Sequence, residues 1–252
     1  MFVNGADGVQ IATKDWGGGD TPLLLTHGAF FMKETLDALV PLLLPTFRVV
    51  TFDMRNHGAS GEGPWEWPFV TADVEAVRVA YEIERPVVAG HSLGGMVAAL
   101  YSTDYPLCRS AINIDGQGKG KPSYYAGMTE AEVLEGWAAL DAEQEQMLAG
   151  IDKPRLVEML DVIEAIDLFE VWRATPSPLL IFNCVAEDPM YAARGDQVIG
   201  LMNAYRHGLG AAFAALAEEI PSVEIATLDK THVSVILEPE ELAARMIQFG
   251  AN

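Results

Sequence analysis

The stretch Val87–Met96, VVAGHSLGGM, decides the fold. A β-branched apolar run stops at Gly90, and a single serine is followed by a leucine, two glycines and an apolar helical pattern. Gly90-His91-Ser92-Leu93-Gly94 fits G-x-S-x-G between a strand and a helix, the setting in which the motif is specific. A serine on so sharp a turn sits in strained backbone, and glycines flank it because a Cβ there would collide. The strain lifts Oγ clear of the strand, and the helix N-terminus behind it favours developing negative charge.

Working outward, the segments 9–16, 22–26, 47–52, 110–114, 179–182 and 223–228 read as further strands, with Gly17–Asp20 as a hairpin turn. The segments 32–44, 71–84, 93–105 and 239–249 read as helices, the first broken at Pro41. Strands alternating with helices, and strands that are continuously apolar, predict a mostly parallel sheet covered on both faces. The rhythm breaks between Gly116 and Pro178. There the spacing predicts two helical segments. The first opens on a Thr129–Glu132 capping box and carries Leu134, Trp137 and Leu140. The second starts near Asp152, buries Leu160, Ile163, Phe169 and Trp172, and ends at Thr175-Pro176. The expected organisation is a core of residues 1–117 and 176–252 with a helical lid at 118–175. Gly116–Lys121, GQGKGK, reads as a hinge; it lacks Walker spacing and runs into Pro122.

The bulk numbers bound the partners. Among 252 residues, 16 are basic and 36 acidic, for a net charge of −20. Such a surface repels phosphate backbones and anionic headgroups, so neither nucleic acid nor membrane is an expected partner. Cys108 and Cys184 are too few for a disulfide framework or a zinc site, which points to free thiols and a reducing compartment. MFVNGADGVQ at the start lacks the features of a secretion signal, so a cytoplasmic location is expected. No pattern calls for a metal or an organic cofactor.

An acyl-transfer serine needs two N–H donors for the oxyanion and a base for its proton. Leu93 follows the serine and supplies one amide; Ala29, in the His27-Gly28-Ala29-Phe30 turn after an earlier strand, supplies the other. In the chain order serine, acid, histidine, the candidate bases are His207 and His232. His207 falls within a helix, whereas His232 follows the last strand through a short polar loop, so His232 is assigned. Asp188, in Glu187-Asp188-Pro189 after the Leu179 strand, is assigned as the acid, with Asp115 and Glu187 as competitors. Asp53–Ser60, DMRNHGAS, is read as a structural loop held by Asp53 and Arg55. Aromatic residues, among them Phe30 and Trp137, are candidates to line an apolar substrate pocket.

Together these residues resemble the α/β-hydrolase superfamily, and DMRNHGAS is particularly similar to its small intracellular esterases. HGAF resembles the oxyanion loop, GHSLGG the nucleophile elbow, EDP the acid turn and Thr231-His232 the histidine loop. The resemblance implies an eight-stranded sheet with a lid after the sixth strand, and Ser92 sets the chain apart from members with an aspartate nucleophile. It implies a serine esterase acting on a small or medium apolar ester, thioester or lactone. Carbon–carbon bond hydrolysis, cofactor-free lyase chemistry, perhydrolysis and a non-catalytic receptor-like role are the alternatives. Two features depart from the usual pattern: the histidine follows Thr231 where glycine is usual, and an alanine-rich helical insertion spans Tyr191–Glu219.

Overall fold

The computed structural model describes residues 1–148, 154–192 and 194–250. Its eight strands are β1 (Phe2–Asn4), β2 (Gln10–Gly18), β3 (Thr21–Thr26), β4 (Phe47–Phe52), β5 (Val87–His91), β6 (Ser110–Ile114), β7 (Leu179–Cys184) and β8 (Val223–Leu228). They form one sheet in the order β1-β2-β4-β3-β5-β6-β7-β8. The pairs β1–β2 and β2–β4 are antiparallel and all others parallel. The expected hairpin at Gly17–Asp20 is not one, because β4 pairs between β2 and β3. That link instead packs tightly on the end of β4: a Cβ on Gly18 or Gly19 would strike the backbone around Leu44, Thr46 and Phe47.

Helices cover both faces. In the N-terminal part of the chain these are α1 (Val40–Leu43), α2 (Trp67–Ala80) and α3 (Leu93–Asp104). The expected helix at 32–44 is reduced to a 3-10 turn at Lys33–Leu36 and α1, which starts beside Pro41. Helix α2 begins earlier than expected, at Trp67, since Pro68 suits a first helical turn. Alternation along β5 shows how the faces divide: Val88 joins the cluster around α2 and α3, while Val87 and Ala89 join the cluster with α1 and the C-terminal helix. Every residue of β5, β6 and β7 is buried, and full burial of each Val, Leu or Ile contributes about 1.5–3 kcal/mol.

Between β6 and β7 lie α4 (Glu130–Leu148), α5 (Pro154–Glu164) and α6 (Leu168–Ala174). The Thr129–Glu132 capping box forms reciprocally, Thr129 N–H donating to Glu132 Oε2 at 2.7 Å and Glu132 N–H to Thr129 Oγ1 at 3.3 Å. The expected second segment is two helices, because Asp167 breaks it and caps α6 by accepting from Phe169 N–H. The expected start near Asp152 lies outside the described residues. Between β7 and β8 come α7 (Pro189–Ala192) and the long α8 (Asp196–Glu219); α9 (Ser234–Leu237) and α10 (Glu240–Gly250) close the chain. Trp172 and Phe169 of α6 pack on Phe213 of α8, and all three belong to the buried cluster that includes α3. Among the described residues, no helix is long and apolar enough to cross a membrane.

Candidate active site

Ser92 caps α3 with φ 52° and ψ −118°, the strained turn that its glycine neighbours require. A Cβ on Gly90 would collide with Gly94, and one on Gly94 would lie 2.6 Å from the His27 carbonyl. The turn is pinned from the next strand, Ser92 N–H donating to the Ile114 carbonyl at 2.8 Å. The His27–Phe30 loop runs directly against it, since a Cβ on Gly28 would sit 3.1 Å from Ser92 Cβ. Ala29 and Leu93 line the same cavity as Ser92, and neither backbone N–H donates a hydrogen bond among the described residues.

The loop that carries Ala29 is anchored from below by Asp53. Its Oδ1 accepts from Lys33 N–H at 2.7 Å, and its Oδ2 from Lys33 Nζ at 2.8 Å and Ala59 N–H at 3.0 Å. Burial would raise this carboxyl, but those donors hold it below its ordinary range. Arg55 is fully buried and forks onto Asp73 at 2.7 and 2.8 Å, with Asp7 and the Pro64 carbonyl taking its other donors. DMRNHGAS thus forms a closed polar network beside the site, held by Asp53 and Arg55.

The histidines separate by environment. His27 accepts from Met54 N–H at Nε2 and faces its neighbour's carbonyl at Nδ1, and burial together with nearby His57 pulls its pKa down to about 3. His91 is likewise held at about 3 by burial and by His232. Its Nε2–H donates to the His232 carbonyl at 2.7 Å, so the residue before the serine fixes the histidine loop. Thr231 and Ser234 brace that loop by exchanging hydrogen bonds at 2.8 and 3.1 Å. His207 is exposed on α8 and is not part of the cavity wall.

The carboxylate that meets His232 is not the one expected. His232 Nδ1 bonds Asp115 Oδ2 at 2.6 Å, so the position behind the imidazole belongs to Asp115 and not to Asp188. Asp115 directly follows β6 and adopts φ 54°, which turns its carboxylate across the end of β7. There Oδ1 accepts from Cys184 N–H at 2.9 Å and Gln117 Nε2 at 3.2 Å. Burial would raise the Asp115 carboxyl, but the His232 bond and the Cys184 amide hold it below its ordinary value. Burial would likewise lower His232, yet Asp115, with a smaller contribution from Asp188, raises it above the ordinary 6.5. Asp188 lies four residues past β7 and lines the cavity wall. The signal for Asp115 was its place at the tip of the strand beside the serine's own.

Ser92, His232 and Asp115 open on a cavity of about 610 Å³ walled by α5, α8 and the loop after β6. Trp137 and Tyr124 line it. Phe30 does not: it adopts φ 63°, and its half-buried ring packs on the core cluster instead. Lys119 reaches the cavity but is tied to Asp141 at 2.7 Å and Glu164 at 2.5 Å, and Lys121 to Asp167 at 2.5 Å. Among the described residues there is no cluster of three or more His, Cys, Asp or Glu able to hold a metal ion.

The sequence model of the Alpha/beta hydrolase family matches residues 23–245. A serine hydrolase-like protein of Danio rerio is 37% identical over 102 residues, 38% of this chain and 31% of that one. A bifunctional esterase/perhydrolase of Acinetobacter calcoaceticus is 36% identical over 110 residues, 42% and 40% of the two chains. The alignments therefore span less than half of these relatives. An esterase from Exiguobacterium antarcticum has the same fold, with a TM-score of 0.72 at 17% identity over 100% of this chain and 99% of that one.

Proposed function

Because the chain belongs to the Alpha/beta hydrolase family, we propose that it is a serine hydrolase cleaving a small or medium carboxylic ester, thioester or lactone through an acyl-enzyme. The observation that carries this is the 2.6 Å bond from His232 Nδ1 to Asp115 at the cavity into which the strained Ser92 turn opens. With Nδ1–H given to Asp115, Nε2 is the free acceptor for the Ser92 proton. Ser92 Oγ then attacks the carbonyl carbon, and the Ala29 and Leu93 amides receive the oxyanion. His232 returns the proton to the leaving oxygen or sulfur, and water repeats the sequence on the acyl-enzyme to release the acid. The helices of 118–175 act as a lid that keeps bulk water from the ester.

The test is the intact mass of the protein after reaction with a fluorophosphonate, for wild type and Ser92→Ala. A single adduct lost in the variant is expected, together with a fall in ester turnover of roughly six orders of magnitude. Well-folded wild type that takes no adduct would sink the proposal. A second outcome has support from the esterase/perhydrolase similarity. Hydrogen peroxide in place of water would release a peracid from the same acyl-enzyme, measurable by peracid formation from an ester and peroxide.

A further inference from the structure

The alanine-rich insertion between β7 and β8 has no part in the acyl-transfer steps, yet α8 forms one wall of the cavity. Its Tyr205 hydroxyl donates to the Gly118 carbonyl, and a Cβ on Gly208 would collide with Tyr124, so the helix is pressed onto the loop after β6. One turn of it brings Arg206 to the cavity. Among the described residues three cationic side chains line that space, and two are neutralised, Lys119 by Asp141 and Glu164 and Lys121 by Asp167. Arg206 is half-buried and has no carboxylate partner among the described residues. Among the described residues its guanidinium makes one hydrogen bond, from Nη1 to Asn203 Oδ1 at 3.2 Å on its own helix, and its other donors meet no partner there.

A chain with 36 acidic residues has carboxylates to spare for any arginine that needs one. A partly desolvated guanidinium without one is costly, and its planar fork matches a carboxylate in bidentate geometry. We propose that Arg206 receives a carboxylate carried by the substrate, so that the hydrolysed compound is a short ester with a free acid group remote from the scissile bond. This rests on the serine hydrolase reading and narrows its substrate class. Asp188 and the Asp115–His232 pair share the cavity, so anion binding is local to Arg206 rather than a property of the whole space. Burial and Asp188 push the pKa of the Tyr191 phenol up, Arg194 and Arg206 pull it down, and Asp115 pushes it up. Ser92, His232 and Arg206 all line the same cavity of about 610 Å³, a volume in the range of small-molecule sites, so the reacting end and the cationic end belong to one binding space.

Two ester series test this. One carries the carboxylate on the acyl chain, as p-nitrophenyl hemiesters of succinate, glutarate and adipate. The other carries it on the alcohol, as acetate esters of short hydroxy acids. Each is measured beside its isosteric primary amide in wild type, Arg206→Met and Arg206→Lys. Wild type should favour the charged ester in at least one series. That ratio of kcat/KM should fall about tenfold to a hundredfold in Arg206→Met, with partial retention in Arg206→Lys. A wild-type ratio of one or below throughout, or a ratio unmoved by Arg206→Met, overturns the proposal. Calorimetric binding of the glutarate hemiamide supplies a readout free of turnover. Binding lost in Arg206→Met without any ester hydrolysis upholds the anion site and removes the esterase reading. Hydrolysis without charge preference does the reverse.

Discussion

Two polar clusters hang from the same edge of the sheet, and they contain nearly the same chemistry. After β4, Asp53, Arg55, Asn56 and His57 are all at most 2% exposed, with Arg55 forked onto Asp73. After β6, Asp115 reaches across β7 to His232, whose side chain is 39% exposed and faces a cavity of about 610 Å³. The first cluster is closed by the protein on every side and supports the loops around it. The second has one face left open. What separates the two acid–base clusters is access, not residue type.

The sharpest way to break that contrast is to exchange carboxylates for amides on the two candidate acids. Asp115→Asn should lower ester turnover by about 10⁴-fold, because His232 loses the tautomer and the charge that support it. Asp188→Asn should cost no more than roughly tenfold, since its effect on His232 is a longer-range charge. Steady-state kinetics on both variants decides the assignment, and the reverse order of effects would return the acid to Asp188.

The closed cluster should respond in stability instead. Arg55→Met removes one partner of a buried ion pair and leaves Asp73 uncompensated, at a cost of about 3–5 kcal/mol. Thermal unfolding should show Tm lowered by roughly 6–20 °C. Ester turnover per folded molecule that collapsed while Tm held would contradict the division.

The smallest effect separates the clusters by pH. His232 is raised above 6.5, and a protonated imidazole cannot accept the Ser92 proton. The kcat/KM profile should therefore rise with pH through a pKa above that value, and Asp115→Asn should move this limb downward. His27 and His91, both held at about 3, should leave no inflection near neutrality. A limb at or below 6.5 in wild type would show that Asp115 does not act on the titrating base.

Much of this was legible from local patterns. A glycine-flanked serine between an apolar strand and a helix allows few backbone geometries, so the elbow at Ser92 and the sheet around it follow from short-range sterics. The position of His232 was legible because a short polar loop carries it beyond the last strand of an alternating chain. The capping box at Thr129–Glu132 was legible for the same reason, since both partners lie within one helical turn. The failures share one cause. Gly17–Asp20 looks like a hairpin until β4 is seen to pair between β2 and β3, a long-range fact. Phe30 looks like a pocket residue until its positive φ and its packing on the core are known.

Sequence alone therefore determined the fold class, the strand-to-helix turn at Ser92 and the loop position of His232 after the last strand, because each is set by neighbours a few residues away. Tertiary structure alone decided which carboxylate stands behind His232, because Asp115 is 117 positions distant and reaches it only through the adjacency of β6, β7 and β8. It also decided that the helix inserted before β8 brings Arg206 to the cavity, since nothing local to an alanine-rich helix says which of its faces meets Ser92.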